Sequence, residues 1–141
     1  MKKSASAHWE GSLKEGKGTI STESGALKAN PYGFNTRFED QPGTNPEELI
    51  ASAHASCFSM ALSMMLGEEG IEPDSIKTDA TVIMEQDDSG FTITEVQLKT
   101  VAKIPGADQA TFDSAAQKAK EGCPISKLLN ARISLDAKLE S

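Results

Sequence analysis

Residues 45–67, NPEELIASAHASCFSMALSMMLG, decide the fold of this chain. They open with a strong helix start, because Asn45 can cap the helix, Pro46 is favoured at the first helical position, and two acidic residues follow in the first turn. After that acidic pair no residue up to Gly67 is charged, and apolar side chains occupy more than one side of the predicted helix. A helix apolar on most sides is covered all round. We therefore predict a buried central helix that ends at Gly67 or Gly70.

The same uncharged run is nearly long enough to cross a bilayer. Five of its positions, however, are Ser or His, and acidic residues flank both ends. A buried helix of a soluble protein is therefore the better interpretation, and no membrane partner is predicted.

Strand patterns lie on both sides of this helix. The first forty residues carry apolar and aromatic residues at strand-like intervals, broken by turn sequences such as EGKG at 15–18, which predicts two or three antiparallel strands. Residues 78–86 alternate and turn at Asp-Asp-Ser-Gly into a second run, 91–104. The alternation of that second run slips by one near Thr94 and Glu95, which predicts a β-bulge.

The C-terminal third adds helices and one more strand. Asp108 can cap a second helix that ends at Gly122, a short helix can begin at Pro124, and residues 133–139 alternate as a closing strand. The predicted fold class is α+β, with antiparallel β-sheet packed around the buried central helix. No repeat or linker-like shift in composition interrupts the chain, so we predict a single domain over residues 1–141.

Composition excludes several classes of partner. The 141 residues include 21 acidic and 14 basic ones, and the formal net charge of -7 argues against binding to nucleic acid or anionic lipid. The N-terminal MKKSASAHWEGS has no apolar run of the secretory type. We therefore expect a cytoplasmic protein, in which the two cysteines are thiols at rest.

The two cysteines have different surroundings. Cys57 lies within the apolar helix, where a small thiol usually only fills space and burial raises its pKa, so reactivity would require a cation from elsewhere. Cys123 lies between a helix-ending glycine and Pro124, where exposed N–H groups at a helix start favour a thiolate. Either cysteine could be inert, Cys57 as core filling and Cys123 as a small residue at a tight corner.

Two further side chains could take part in chemistry. His54 lies one helical turn before Cys57, so it could form a Cys–His nucleophile pair or a metal site. A satisfied, semi-buried histidine is the better interpretation, because a catalytic His normally comes from a separate segment and the chain has too few other ligands for zinc. Arg37 is flanked by aromatic residues, and it could supply a cation or simply pair with Glu39 in a sheet.

Beyond these single residues, five segments resemble the OsmC/Ohr family of thiol peroxidases, and together they span nearly the whole chain. They are AHWEG (7–11), GKGTISTESG (16–25), PYGFNTRFE (31–39), GTNPEELIASAHASCFSMALS (43–63) and KAKEGCPISK (118–127).

The resemblance implies an enzyme that reduces organic hydroperoxides in stress defence, using two cysteines and no metal or other cofactor. By motif position, Cys57 resembles the peroxidatic cysteine and Cys123 the resolving one. Arg37 resembles the arginine that activates the thiolate, and Glu47 the acid that pairs with it. The chemistry is consistent, because a sulfenic acid formed on one thiol can be trapped by a second thiol as a disulfide.

The family resemblance also implies an intertwined homodimer with active sites at the subunit interface, and a dithiol reductant such as a lipoylated protein. Glu47 and Cys57 are ten residues apart, about 15 Å along one helix, so one Glu47 cannot easily serve its own Cys57. If two such helices cross antiparallel at a two-fold axis, the Glu47 of one copy can serve the Cys57 of the other. We expect a substrate site walled by Phe58, Met60, Met64 and the aromatic residues beside Arg37.

Two other functions remain open from the residues alone. A Cys–His hydrolase would use His54 as its base. A binding module for apolar ligands would keep the apolar pocket without any thiol oxidation.

Overall fold

The computed structural model describes all residues from Met1 to Ser141, and they form two compact units. The first unit is Met1–Leu49 and the second is Ile50–Ser141. The single domain over residues 1–141 stays a prediction.

The first unit contains a three-stranded antiparallel sheet, as its turn sequences predict. The strands are β1 (Ala5–Glu10), β2 (Lys17–Thr22) and β3 (Asn30–Tyr32), in the order β1-β2-β3. Trp9 and Tyr32 meet across β2 with ring centroids 5.6 Å apart. A Cβ atom at Gly18 would lie 2.5 Å from the Tyr32 ring, so this position of β2 requires a glycine.

The segment that carries Arg37 is helical, and the prediction of a strand there is wrong. Helix α1 spans Phe34–Phe38. The Thr36 hydroxyl accepts a hydrogen bond from the Gly33 N–H at 2.9 Å, which fixes the first turn. Phe34 and Phe38 are one turn apart, with ring centroids at 4.9 Å. Their four-residue spacing therefore reflects a helical contact rather than strand alternation.

Helix α2 spans Pro46–Glu68, and its start confirms the predicted cap. The Asn45 side-chain oxygen accepts a hydrogen bond from the Glu48 N–H at 2.8 Å. The Glu48 carboxylate in turn accepts from the Thr44 hydroxyl at 3.0 Å. By length and composition alone, α2 is also long and apolar enough to cross a membrane.

Only one side of α2 is buried in the single chain. Its buried residues are His54, Phe58, Ala61, Leu62 and Leu66. Met60 and Met64 are 76% and 57% exposed. The predicted burial of α2 on most sides is therefore not found in the single chain.

The second unit contains β4 (Ser75–Asp87), β5 (Gly90–Lys103) and β6 (Arg132–Glu140), in the order β4-β5-β6. Strands β4 and β5 are antiparallel, and their register shifts where predicted. Ile83 is opposite Glu95 while Met84 is opposite Ile93. Thr94 is thus the extra residue, which confirms the bulge.

Strand β6 pairs with β5 in parallel, so the prediction of antiparallel sheets alone is wrong. The connection between them contains α3 (Gln109–Gly122) and α4 (Pro124–Leu128), which return the chain to the starting end of β5. A connection of this length with helices permits parallel pairing, which a tight turn does not.

Helix α3 begins as predicted, because the Asp108 carboxylate accepts from the Thr111 N–H at 3.0 Å. Its narrow apolar face packs into the core of the second unit, together with one side of α2 and residues of β5. The buried apolar residues of this core are Phe58, Ala61, Leu62, Leu66, Val96, Leu98, Ala102, Ile104, Phe112, Ala115, Ala116, Ala119 and Cys123.

Candidate active site

The two thiols lie together in the second unit, although they are far apart in sequence. Cys57 lies in the middle of α2 and is half-buried, whereas Cys123 is completely buried. Cys123 joins two helices, because its N–H donates to the Ala119 carbonyl at 2.9 Å and its carbonyl accepts from the Lys127 N–H at 3.1 Å. The two side chains are close enough to hydrogen bond. The fold thus supplies a pair of thiols without a CxxC motif.

The second unit alone does not activate Cys57. Burial raises the pKa of the Cys57 thiol, and the hydrogen bond with Cys123 raises it further. The backbone N–H of Ile125 in α4 opposes this change by donating to the Cys57 sulfur, and negative charge on Cys123 would raise the pKa again. The net direction is upward. A reactive thiolate at neutral pH therefore needs a cation that these groups do not supply.

An apolar cavity of about 660 Å³ lies beside Cys57. Met60, Met64 and Met65 of α2 form one wall, and Pro124 and Ile125 of α4 contribute to another. The prediction that Met60 and Met64 lie beside the thiol is confirmed.

Phe58, the other helix residue predicted in the wall, is completely buried in the core. Successive helical residues point about 100° apart, so its neighbour Cys57 can face the cavity while Phe58 does not. Its assignment to the cavity wall was wrong.

Arg37 and Glu47 form an ion pair within the first unit. The Arg37 Nε donates to both carboxylate oxygens of Glu47 at 3.0 Å, and Nη2 donates to Oε1. The guanidinium also lies over the Phe38 ring, 5.1 Å from its centroid. Two parallel bonds and an aromatic face hold the guanidinium plane in one orientation. A cation fixed in this way is suited to act on an anion at a defined position.

The aromatic residues around Arg37 enclose a recess of about 150 Å³ within the first unit. Trp9, Leu13, Phe34 and Phe38 line it together with the guanidinium. The predicted association of Arg37 with an aromatic wall is therefore present.

The structure brings each predicted pair of residues together. Arg37 contacts Glu47 in Met1–Leu49, and Cys57 contacts Cys123 in Ile50–Ser141. The catalytic roles of these four residues stay predictions.

His54 was predicted to be semi-buried and satisfied, and both parts are wrong. It is completely buried, and only one of its ring nitrogens has a hydrogen-bond partner. Nε2 lies 2.7 Å from the Ser126 hydroxyl in α4, while Nδ1 is buried without a partner. Burial lowers the pKa of His54, which favours the neutral imidazole. No group of three or more His, Cys, Asp or Glu side chains in the chain could hold a metal ion.

Sequence reasoning missed Ser126. The available signal was its spacing, because Ser126 follows Cys123 by three residues just as His54 precedes Cys57 by three. That symmetry has meaning only once α2 and α4 are known to be neighbours.

Comparison with known proteins identifies the family. A family model described as OsmC-like protein matches residues 38–138. The chain is 60% identical to the Peroxiredoxin OsmC of Escherichia coli (strain K12) over 139 residues, which is 99% of this chain and 97% of that protein. It is 33% identical to the organic hydroperoxide resistance protein OhrB of Bacillus subtilis (strain 168) over 124 residues, 87% of this chain and 88% of that one.

The fold agrees with this match. The crystal structure of OhrB of Bacillus subtilis superposes with a TM-score of 0.68 at 27% identity, covering 97% of this chain and 98% of that one. A structure of an OsmC from Legionella pneumophila, at 23% identity and a TM-score of 0.74, supports the fold alone. Similarity over nearly the full length to a peroxiredoxin, and over 87% of the chain to a hydroperoxide resistance protein, identifies an enzyme of the peroxidase type. The chain therefore belongs to the OsmC family, with the α+β fold of its OsmC and Ohr relatives.

Proposed function

We propose that this protein reduces organic hydroperoxides to alcohols by a two-cysteine mechanism. The Cys57 thiolate attacks the O–O bond and becomes a sulfenic acid, while the departing alkoxide takes a proton from water and leaves as the alcohol. The Cys123 thiol then displaces the sulfenic hydroxyl as water and forms a Cys57–Cys123 disulfide. The observation that carries this proposal is the contact between these two thiols beside an apolar cavity.

Steady-state turnover of cumene hydroperoxide with a dithiol reductant tests the proposal. Cys57→Ser is expected to abolish turnover, because no sulfenic acid can then form at position 57 for Cys123 to capture. Cys123→Ser is expected to consume one equivalent of hydroperoxide and then stop with a sulfenic acid that dimedone traps. Substantial multiple turnover by Cys57→Ser would contradict the assignment.

Arg37 is proposed to supply the cation that Cys57 lacks. The thiol pKa is raised within its own unit, so the thiolate needs a positive charge nearby. Glu47 fixes the guanidinium through paired hydrogen bonds. Glu47 thus acts as a positioning residue and Arg37 as the activating one.

The active enzyme is proposed to be a homodimer with shared sites. Met60 and Met64 of α2 are exposed in the single chain, and a second copy of α2 would cover them. The helix rise of about 15 Å between Glu47 and Cys57 favours a Cys57 activated by the Arg37–Glu47 pair of the other copy. Sedimentation at micromolar concentration is expected to give a dimer, and a monomer alone would count against the shared site.

The proposed reductant is a dithiol of the lipoyl class, including lipoylated proteins. In the disulfide, Cys123 would be completely buried and only the half-buried Cys57 could be reached from solvent. A slender dithiol can attack this sulfur and then close its own ring, whereas a bulky anionic monothiol reaches it poorly. Faster reduction by glutathione than by dihydrolipoamide would refute this choice.

A reducing cytoplasm, where such donors work, is the proposed location.

The hydrolase alternative loses its main support. Its base would be His54, but the hydrogen-bonded nitrogen of this residue faces Ser126, and the other nitrogen has no partner at all.

A further inference from the structure

One partly buried hydrogen bond joins α2, which carries Cys57, to α4, which Cys123 caps. His54 Nε2 lies 2.7 Å from the Ser126 hydroxyl. His54 is one helical turn before Cys57 in α2, and Ser126 is one turn after Cys123 in α4. The bond therefore runs beside the thiol pair and connects the same two elements.

Helix α4 has few other means of keeping its place. It is five residues long and contains no buried residue, and a helix this short has little stability of its own. Ile125 and Leu129 pack partly against the core, while Leu128 is 75% exposed. The Ser126 hydroxyl thus adds a directional contact to a helix that is otherwise held by two partly buried side chains and by the Ile125 N–H bond to the Cys57 sulfur.

The imidazole has no competing hydrogen bond. It is completely buried, and its Nδ1 has no partner. A buried polar ring that lost Ser126 would have both nitrogens unsatisfied, which is costly. The histidine side chain therefore favours positions of α4 that keep Ser126 within reach.

Disulfide formation depends on where α4 lies. A disulfide requires a sulfur–sulfur distance of about 2.05 Å and a narrow range of Cα separations. In the step itself, the S–H bond of Cys123 and the S–O bond of the Cys57 sulfenic acid break, the S–S bond forms, and the hydroxyl leaves with the thiol proton as water. The closure rate is then proportional to the fraction of time in which Cys123 lies within reach.

We propose that His54 and Ser126 are positioning residues for the resolving step, holding α4 so that Cys123 can capture the Cys57 sulfenic acid before it is oxidised further. This inference rests on the proposed two-cysteine function. Neither residue lines the cavity beside Cys57, so their loss is expected to leave the first oxidation of Cys57 unchanged. Loss of one hydrogen bond of typical net strength slows closure roughly fivefold, which corresponds to about 1 kcal/mol.

The test follows reduced protein after one equivalent of cumene hydroperoxide, with dimedone trapping and mass spectrometry at successive times. Ser126→Ala and His54→Leu are expected to form sulfenic acid at the wild-type rate and to close the disulfide about fivefold more slowly. The double variant is expected to be no slower than either single one, because both remove the same contact. His54→Gln, whose amide can replace Nε2, is expected to restore most of the closure rate.

Ser59→Ala is the matched control. The Ser59 hydroxyl also ties α2 to a neighbouring element, through Thr78 of β4 at 2.8 Å, but it does not involve α4. This variant is expected to lose comparable thermal stability while closing the disulfide at the wild-type rate. With excess hydroperoxide, Ser126→Ala is expected to accumulate more sulfinic acid than Ser59→Ala.

Each contrary result has a distinct meaning. Closure by Ser126→Ala at the wild-type rate, or equal slowing by Ser59→Ala, would overturn the positioning role while leaving the peroxidase proposal intact. A wild-type protein that forms neither sulfenic acid nor disulfide would overturn the proposed function, and this inference with it.

Discussion

Moderate acid is expected to destabilise the folded protein through His54. The imidazole is completely buried and burial lowers its pKa, whereas in the unfolded chain the pKa is near its ordinary value of 6.5. Below that value the unfolded state binds a proton that the folded state binds poorly. The stability that the neutral His54 contributes is therefore present above pH 6.5 and is lost as the pH falls.

The magnitude follows from proton linkage. If the folded imidazole stays neutral, one group with an unfolded pKa of 6.5 lowers the free energy of unfolding by about 1.4 kcal/mol between about pH 7.5 and about pH 5.5. The pKa of Glu95 is lowered from 4.5 by its hydrogen bond with Arg132, so the stability that this carboxylate contributes is lost only below this pH window.

Urea unfolding at the two pH values, at fixed protein concentration, measures this loss. In His54→Gln, the free energy of unfolding is expected to lose most of its dependence on pH, whatever the absolute stability of this variant. His8→Gln, at an exposed position on β1, is the control and is expected to retain it. Equal pH dependence in wild type and His54→Gln, or its disappearance in His8→Gln, would show that His54 is not the titrating group.

Three further predictions concern the thiols and the substrate. Each CH₂ group that the apolar cavity buries is expected to raise kcat/KM about fourfold, which corresponds to about 0.8 kcal/mol per group. The same kcat/KM for every alkyl hydroperoxide from ethyl to hexyl would contradict this. Cys123→Ala is expected to speed alkylation of Cys57 at a pH below its pKa, because Cys123 raises that pKa; slower alkylation would argue against the contact. Arg37→Ala is expected to slow alkylation of Cys57 near neutral pH, and Glu47→Ala to slow it less; unchanged rates in both would count against activation by the guanidinium.

Local sequence signals predicted the local structure well. The caps at Asn45 and Asp108 and the bulge at Thr94 all follow from a few neighbouring residues. In each case the deciding interaction lies within one turn or one strand pair, so the pattern that predicts it is short.

Features that depend on distant contacts were mispredicted. The alternation of β6 is the same for parallel and antiparallel pairing, and only the path through α3 and α4 decides between them. The spacing of Phe34 and Phe38 is compatible with a strand or a helix, and the contact between their rings selects the helix.

The candidate site was predictable only in part. Motif resemblance indicated Cys57, Cys123, Arg37 and Glu47, and the structure brings them together in two pairs. No pattern indicated Ser126, because its partner His54 lies on another helix and the bond depends on how α2 and α4 pack.

The most direct test of the account is the oxidation state of the two cysteines after one equivalent of cumene hydroperoxide. Fully reduced protein is treated briefly, its remaining thiols are alkylated, and peptides are analysed by mass spectrometry without reduction. We expect a linked pair of peptides joined through Cys57 and Cys123, with the loss of two hydrogen atoms and no alkylation at either cysteine. Alkylated Cys123 beside a stable sulfenic or sulfinic acid on Cys57, or two intact thiols, would contradict it.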